Sequence, residues 1–276
     1  MTSQISGRLR KMATQHQDTV AYELRLADEQ GHYSQLPLNP LLGQTLSLNF
    51  SGDIFCIHCE RKTSRSFSQG YCYPCFKKLA QCDTCMVRPE TCHYQQGTCR
   101  EPEWANHHCF QPHLIYLANT TGLKVGITRE SNMPTRWMDQ GAVAALPLFR
   151  VTNRLDSGRI ETTLAESIKD KTAWQAMLKN QLLELDLQAE AHSVVQEYEV
   201  RLNALPNLAY QRLDMPVKTF HYPVLSYPTK VKSLNPEKQP RIEGQLLGIK
   251  GQYLLLDTGV INLRKYAGYV AEFCAT

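Results

Sequence analysis

The stretch HLIYLANTTGLKVGITR, His113 to Arg129, decides how this chain is read. Leu114-Ile115-Tyr116-Leu117, a short polar turn and a second apolar run through Val125-Gly126-Ile127 predict two antiparallel strands. Beyond Arg129 a helix capped by Ser131 or Asn132, with Pro134 in its first turn, and a third apolar run from Val143 to Val151 give a β-β-α-β order. Asp156-Ser157-Gly158 reads as the next helix start. Ile160, Leu164 and Ile168 then recur every four residues along one face, with Glu161 projecting about 100° from it. A longer helical region from Trp174 to about Leu205 carries Trp174, Met177, Leu178, Leu182 and Leu185 at the spacing of core contacts.

The chain has 276 residues and 42% apolar content, enough to bury a real core in two or three domains. Its N-terminus lacks an apolar signal region, and no run approaches the roughly 18 apolar residues of a membrane span. A cytoplasmic protein with no membrane partner is therefore expected. In that reducing compartment ten cysteines point to metal before disulfides. The net charge of +4 suggests a phosphate-bearing partner, but eight thiolates around two Zn²⁺ would bring it to about zero. Local basic patches must carry any argument for nucleic acid.

Nine cysteines lie between Cys56 and Cys109. Cys56-x2-Cys59 and Cys72-x2-Cys75 are two knuckles offering four soft ligands for tetrahedral Zn²⁺. Free buried cysteines would show no repeated two-residue gap. A third knuckle, Cys82-x2-Cys85, is followed by Cys92, Cys99 and Cys109, with His93, His107 and His108 nearby, which suffices for a second structural Zn²⁺. Sequential and cross-braced pairings both remain open. Arg61, Lys62, Arg65, Lys77 and Lys78 give this segment a basic surface suited to phosphates, or simply to water.

These patterns predict an α+β protein in five parts: a β unit over 1–51, a cysteine-rich zinc module over 52–112, an α/β domain with a helical extension over 113–206, a basic Pro-rich connector over 207–240, and a β unit over 241–276. The connector carries five prolines between Met215 and Arg241, with Phe220, Tyr222 and Tyr227 among them. The two terminal β units are candidates to pair. Within the last, YLLLDTGV (Tyr253 to Val260) contains the Asp-Thr-Gly of aspartic proteases. Too few residues follow Asp257 for a protease lobe, so a hairpin turn with Gly259 at positive φ is the better reading.

Ile115-Tyr116, then Lys124-Val125-Gly126-Ile127-Thr128, then Arg136 and Glu161 on successive helices resemble the GIY-YIG nuclease superfamily. The likeness runs from Leu114 to Lys171, roughly a fifth of the chain. Leu114 stands where that superfamily has its first glycine and Lys124 where it has a tyrosine; Asn180 is a candidate for its later asparagine. The cysteine block, GITRESNMPTRWMDQGA (Gly126 to Ala142) and EGQLLGIKGQYLLLDTGVIN (Glu243 to Asn262) also resemble a bacterial family of unknown function. The first resemblance implies a small mixed sheet with helices, and a metal-dependent endonuclease acting on DNA or RNA.

The chemistry can be stated without the likeness. Phosphodiester hydrolysis needs a base for water, a cation for charge growing on phosphate, and a carboxylate for a divalent metal. As the resemblance implies, Tyr116 is the candidate base, its acidity raised by Lys124 or metal-bound water. Arg136 offers a bidentate fork to phosphate. Glu161 is the candidate ligand for Mg²⁺ or Mn²⁺, its place in a first helical turn favouring the ionised form. Taken singly, Tyr116 reads as core and the charged residues as solvated. Two alternatives stand beside the enzyme: a non-catalytic nucleic-acid-binding module on a nuclease scaffold, and a protein-interaction adaptor built on zinc knuckles.

Overall fold

The computed structural model describes residues 3–168 and 173–276; Met1, Thr2 and the end of the GIY-YIG-like stretch lie outside the described residues. The chain opens with β1 (Ser3–Leu9), β2 (Ala13–Gln15), β3 (Ala21–Ala27), β4 (Tyr33–Pro37) and the long β5 (Thr45–Phe55). Strand β3 alternates buried and half-buried residues, as the period-two pattern of AYELRLA demands. The cysteine-rich segment follows, with β6 (Lys62–Thr63), α1 (Tyr73–Lys78), four 3₁₀ turns and α2 (Pro102–His108). Next come β7 (His113–Asn119), β8 (Leu123–Arg129), α3 (Thr135–Asp139), β9 (Ala144–Val151), α4 (Arg154–Ala165), α5 (Trp174–Leu178) and α6 (Leu187–Asn203). The remainder is β10 (Gln211–Arg212), β11 (Lys218–Thr219), β12 (Arg241–Lys250), β13 (Tyr253–Leu256), β14 (Gly259–Asn262) and β15 (Tyr269–Ala275).

The β segments at the two ends form a single ten-stranded sheet with the path β14-β13-β12-β5-β15-β1-β3-β2. Strand β15 lies between β5 and β1, so that Phe273 meets Leu48 on one side and Ile5 on the other. Neither end has strands enough to cover its own apolar face, and pairing solves both problems at once. Asp257 and Thr258 make the two-residue turn between β13 and β14, with Gly259 at φ +152°, so the Asp-Thr-Gly is a hairpin.

The second sheet has five strands, β10-β9-β7-β8 with β11 also on β9. Its β-β-α-β order is the expected one, but every pair is antiparallel rather than mixed. The reason is that α3 carries the chain across β7: β8 and β9 run in one direction on opposite sides of β7 and never pair. All seven residues of β7 are buried. Tyr116 and Ala118 pack toward the large sheet with Trp137 and Phe220. Ile115 and Leu117 pack the other way, against Ile160 and Leu164 of α4 and Tyr198 of α6. The domain is thus layered sheet, sheet and helices, and each fully buried Leu or Ile contributes roughly 1.5–3 kcal/mol.

Several helix boundaries differ from the sequence reading. Ser131 and Asn132 belong to a 3₁₀ turn, and Pro134 is the N-cap of a helix only five residues long. Helix α4 starts at Arg154, because the Asn153 side chain accepts from Asp156 N at 2.9 Å; Glu161 therefore stands two turns in, not in the first turn. The expected long helix is broken after α5, where Asn180 takes φ +56° and its Oδ1 accepts from Lys250 Nζ at 2.8 Å. Met177 and Leu178 are buried as expected, while Trp174 is exposed. The aromatic residues of the connector are packed against the rest of the protein. Phe220 and Tyr222 are buried, Tyr222 donates to Ala142 O at 2.7 Å, and Tyr227 lies 5.4 Å from Lys250 Nζ.

Residues 56–112 of the cysteine-rich segment contribute nothing to the apolar clusters found among the described residues. Among the segment's contacts with the rest of the protein are those to α4, where Arg154 donates from its backbone N to Cys109 O at 2.8 Å and from its guanidinium to Met86 O at 2.7 Å. A Cβ on Gly158 of α4 would sit 2.6 Å from Glu90 N and 2.6 Å from Pro89 Cβ, so glycine alone lets the Pro89–Thr91 turn rest on that helix. No helix among the described residues is long and apolar enough to cross a membrane.

Candidate functional site

Strand β8 is the open edge of the five-stranded sheet, and a cavity of about 630 Å³ runs along it. Lys124 to Arg129 form its floor, Arg154 and Glu161 of α4 one side, Thr135, Arg136 and Asp139 of α3 another, and Met86, Val87 and Pro89 of the cysteine-rich segment a third. Lys11 and Arg264 reach in from the large sheet. The four residues singled out in the sequence, Tyr116, Lys124, Arg136 and Glu161, all line this one cavity. Asn180 does not.

Tyr116 reaches the cavity from the buried central strand only because its cross-strand partner is Gly126. A Cβ there would lie 2.7 Å from both Cζ and Oη of the phenol. The glycine of the Lys-Val-Gly motif thus makes room for a ring, a role the letters alone do not reveal. The ring meets Trp137 edge-on at 5.7 Å, and its hydroxyl donates to Gln140 Oε1 at 3.3 Å. Burial raises the Tyr116 pKa, outweighing the nearby Arg136 guanidinium, so the phenol keeps its proton at neutral pH. Desolvation outweighs that single cation.

Six basic side chains face two acids: Lys11, Lys124, Arg129, Arg136, Arg154 and Arg264 against Asp139 and Glu161. Burial raises the Glu161 pKa, although Arg154, Lys124 and Arg136 all act to lower it. With Glu161 two turns into α4, the helix N-terminus adds little to hold it ionised. Asp139 is already engaged, forming an ion pair with Lys11 and accepting from Gln252 Nε2 at 2.8 Å. Arg154 spends one nitrogen on Met86 O at 2.7 Å, while its Nε is buried without a hydrogen-bond partner among the described residues. Sequence reasoning missed Lys11, Arg129, Arg154 and Arg264, since segments far apart in the chain contribute them and no local motif marks them.

Cys56, Cys59, Cys72 and Cys75 come together with their sulfurs all within 4.8 Å of one another, close enough to hold a metal such as zinc. Cys59 Sγ and Cys72 Sγ are 3.7 Å apart. Burial acts against the Cys56 thiolate, but the backbone N–H groups of Cys59, Cys72 and His58 together bring its pKa down to about 7. Burial and neighbouring thiols push Cys59 and Cys75 up. Such a cluster releases its remaining protons when a cation takes their place.

The third knuckle is split. Cys82 closes the 3₁₀ turn Ala80–Cys82 and belongs to neither group of ligand atoms, whereas Cys85 lies in the turn Thr84–Met86. Asp83, Cys85 and His93 form a second group whose ligand atoms lie within 4.8 Å. His107 and His108 are outside both groups.

Residues 43–271 match a family described as protein of unknown function, DUF2797. No curated protein and no solved structure matches the chain. With most of its length inside that match, the chain belongs to the DUF2797 family.

Proposed function

We propose that the cavity along β8 binds the phosphate backbone of a nucleic acid and is built for phosphodiester hydrolysis. The observation that carries this reading is the gathering of six basic side chains, a buried tyrosine and one cation-ringed carboxylate around a single open cleft. Arg136 and Arg154 suit bidentate contact with phosphate oxygens, and the unpartnered Arg154 Nε lacks an acceptor that a phosphate oxygen would supply. The order of Tyr116, Lys124, Arg136 and Glu161, which resembles the GIY-YIG superfamily, supports the same chemistry.

The residues constrain the mechanism. As a neutral phenol, Tyr116 donates a hydrogen bond to a phosphate or attacking oxygen and takes up a proton only once a cation has drawn its own away. Arg136 and Lys124 offset the charge that grows on phosphorus-bound oxygens. Glu161 would hold Mg²⁺ or Mn²⁺ jointly with phosphate oxygens, since the surrounding cations oppose a resident divalent ion and a substrate phosphate offsets them. Such an ion would supply Lewis acidity at the scissile phosphate. Cys56, Cys59, Cys72 and Cys75 fit a structural zinc, having four thiol donors and no open position.

The raised pKa of Tyr116 and Lys124 in place of a tyrosine favour a second reading, in which the cleft binds without cutting. Single- and double-stranded DNA and RNA, incubated with Mg²⁺ or Mn²⁺, separate the two. Cleavage by wild type that is lost in Glu161→Gln and Arg136→Ala supports hydrolysis. Binding without cleavage supports the second reading, and no binding to any of the four at low salt sinks both.

A further inference from the structure

We infer that Asp83, Cys85 and His93 hold a second zinc ion, at a site of mixed oxygen, sulfur and nitrogen donors rather than at a third thiol knuckle. Their ligand atoms all lie within 4.8 Å of one another. Nothing in the letters marks them as a set: Asp83 sits inside the Cys82-x2-Cys85 knuckle, and His93 lies beyond the Pro89–Thr91 turn. The fold gathers them. The Asp83 carboxylate caps the Thr84–Met86 turn, accepting from Thr84 N at 2.6 Å, while His93 stands at the start of the Tyr94–Gln96 turn.

Hydrogen bonding around the imidazole argues for a cation there. Gly97 at φ +72° turns the chain back, so that the Thr98 hydroxyl donates to His93 O at 3.3 Å and its oxygen accepts from His93 Nδ1 at 2.8 Å. With its proton on Nδ1, a neutral imidazole presents a bare lone pair at Nε2. That lone pair faces Asp83 Oδ2 at 3.4 Å, and two acceptors so placed repel each other unless a cation stands between them. A second proton on His93 is a poor alternative. The distance exceeds an ordinary N–H···O hydrogen bond, and Asp83 Oδ2 already accepts from Arg100 Nε at 2.8 Å. Zinc fits, because an oxygen and a nitrogen each about 2.0–2.1 Å from one tetrahedral ion stand about 3.4 Å apart. Thr98 behind the imidazole and Arg100 behind the carboxylate are then the outer partners that fix the two ligands in place.

The donor set selects the metal and the space limits it to one ion. A thiolate beside an imidazole and a carboxylate suits Zn²⁺, whereas Mg²⁺ and Ca²⁺ take oxygen ligands. All three residues line one gap of about 20 Å³, room for a single ion-sized body, and the fourth donor of the tetrahedron comes from that gap. The ion ties the Thr84–Met86 turn to the Tyr94–Gln96 turn. Met86 lines both this gap and the cavity along β8, and its carbonyl accepts from Arg154 at 2.7 Å. The second zinc thus steadies one wall of that cavity, whatever the cavity binds.

The test is zinc analysis of the full chain, free of any histidine tag and purified under reducing conditions without chelator, together with X-ray absorption at the zinc edge. The expected wild type holds two zinc ions per chain, and its spectrum shows imidazole scattering beside the sulfur. No zinc, or zinc surrounded by sulfur alone, overturns the site without any variant having to fold. Cys85→Ser and His93→Gln should each lose one ion per chain and the imidazole signal with it, whereas Cys82→Ser should keep both. Full zinc content in both Cys85→Ser and His93→Gln overturns the ligand set. So does the loss of one ion from Cys82→Ser with the other two variants unchanged, which would return the ion to the knuckle.

Discussion

Tyr116 and Gly126 form a pair in which one residue has meaning only through the other. Placing a methyl group at Gly126 puts it 2.7 Å from the phenol, so that the buried ring must move. Gly126→Ala should therefore cost about 1–3 kcal/mol in urea unfolding and weaken nucleic-acid binding by displacing the ring. An unchanged midpoint would show that the ring swings aside freely. Glu161 works in the other direction. A carboxyl whose folded pKa lies above its unfolded value destabilises the protein above that range, and the penalty lifts as pH falls through the raised pKa. Glu161→Gln, which mimics the neutral form, should raise the thermal midpoint at pH 7, tighten nucleic-acid binding and abolish any cleavage. A lower midpoint would mean that the pairings with Arg154, Lys124 and Arg136 outweigh burial.

At the scale of elements, Gly158 joins the cysteine-rich segment to the helix that bears Glu161. Alanine in an exposed helix interior is better than glycine by up to about 1 kcal/mol, but here its Cβ would strike the backbone of Glu90. Gly158→Ala should thus lower the thermal midpoint and loosen the wall formed by Met86, Val87 and Pro89, which protease sensitivity between Cys85 and Cys109 would register. The sequence disclosed the strands flanking Thr120 and Thr121, because a β-hairpin writes its alternation locally. It disclosed the Cys56 set for the same reason: two knuckles are local signals. It concealed the break at Asn180, where one left-handed residue interrupts a run of helix formers, and the partition of Cys82 from Cys85, which depends on two 3₁₀ turns. Arg264 and Lys11 were illegible because no pattern in a neighbourhood of ten residues reports what another sheet brings to a cleft.

At the scale of the whole molecule, pH and salt act through different groups. His113 is fully buried and donates from Nδ1 to Gln111 O at 2.7 Å, and burial lowers its pKa from 6.5 to about 4. The unfolded chain then binds the extra proton first, so stability present above pH 6.5 drains away as pH falls toward about 4. The loss is on the order of 3 kcal/mol. His113→Gln should flatten that part of the pH–stability curve; an unaltered slope would assign it to other groups. If three of the cavity cations meet phosphates, affinity should fall about 40-fold between about 50 and 200 mM salt, and a flat response would exclude backbone contact.

The position of β15 between β5 and β1 has a consequence for how the protein is born. Ser3 and Ala275 are neighbours in the sheet, so its middle is closed by residues from opposite ends of the chain. Until β15 leaves the ribosome, β5 and β1 each present a raw edge, and the core beneath them stays wet. A nascent chain stalled short of Tyr269 is therefore a natural client for chaperones.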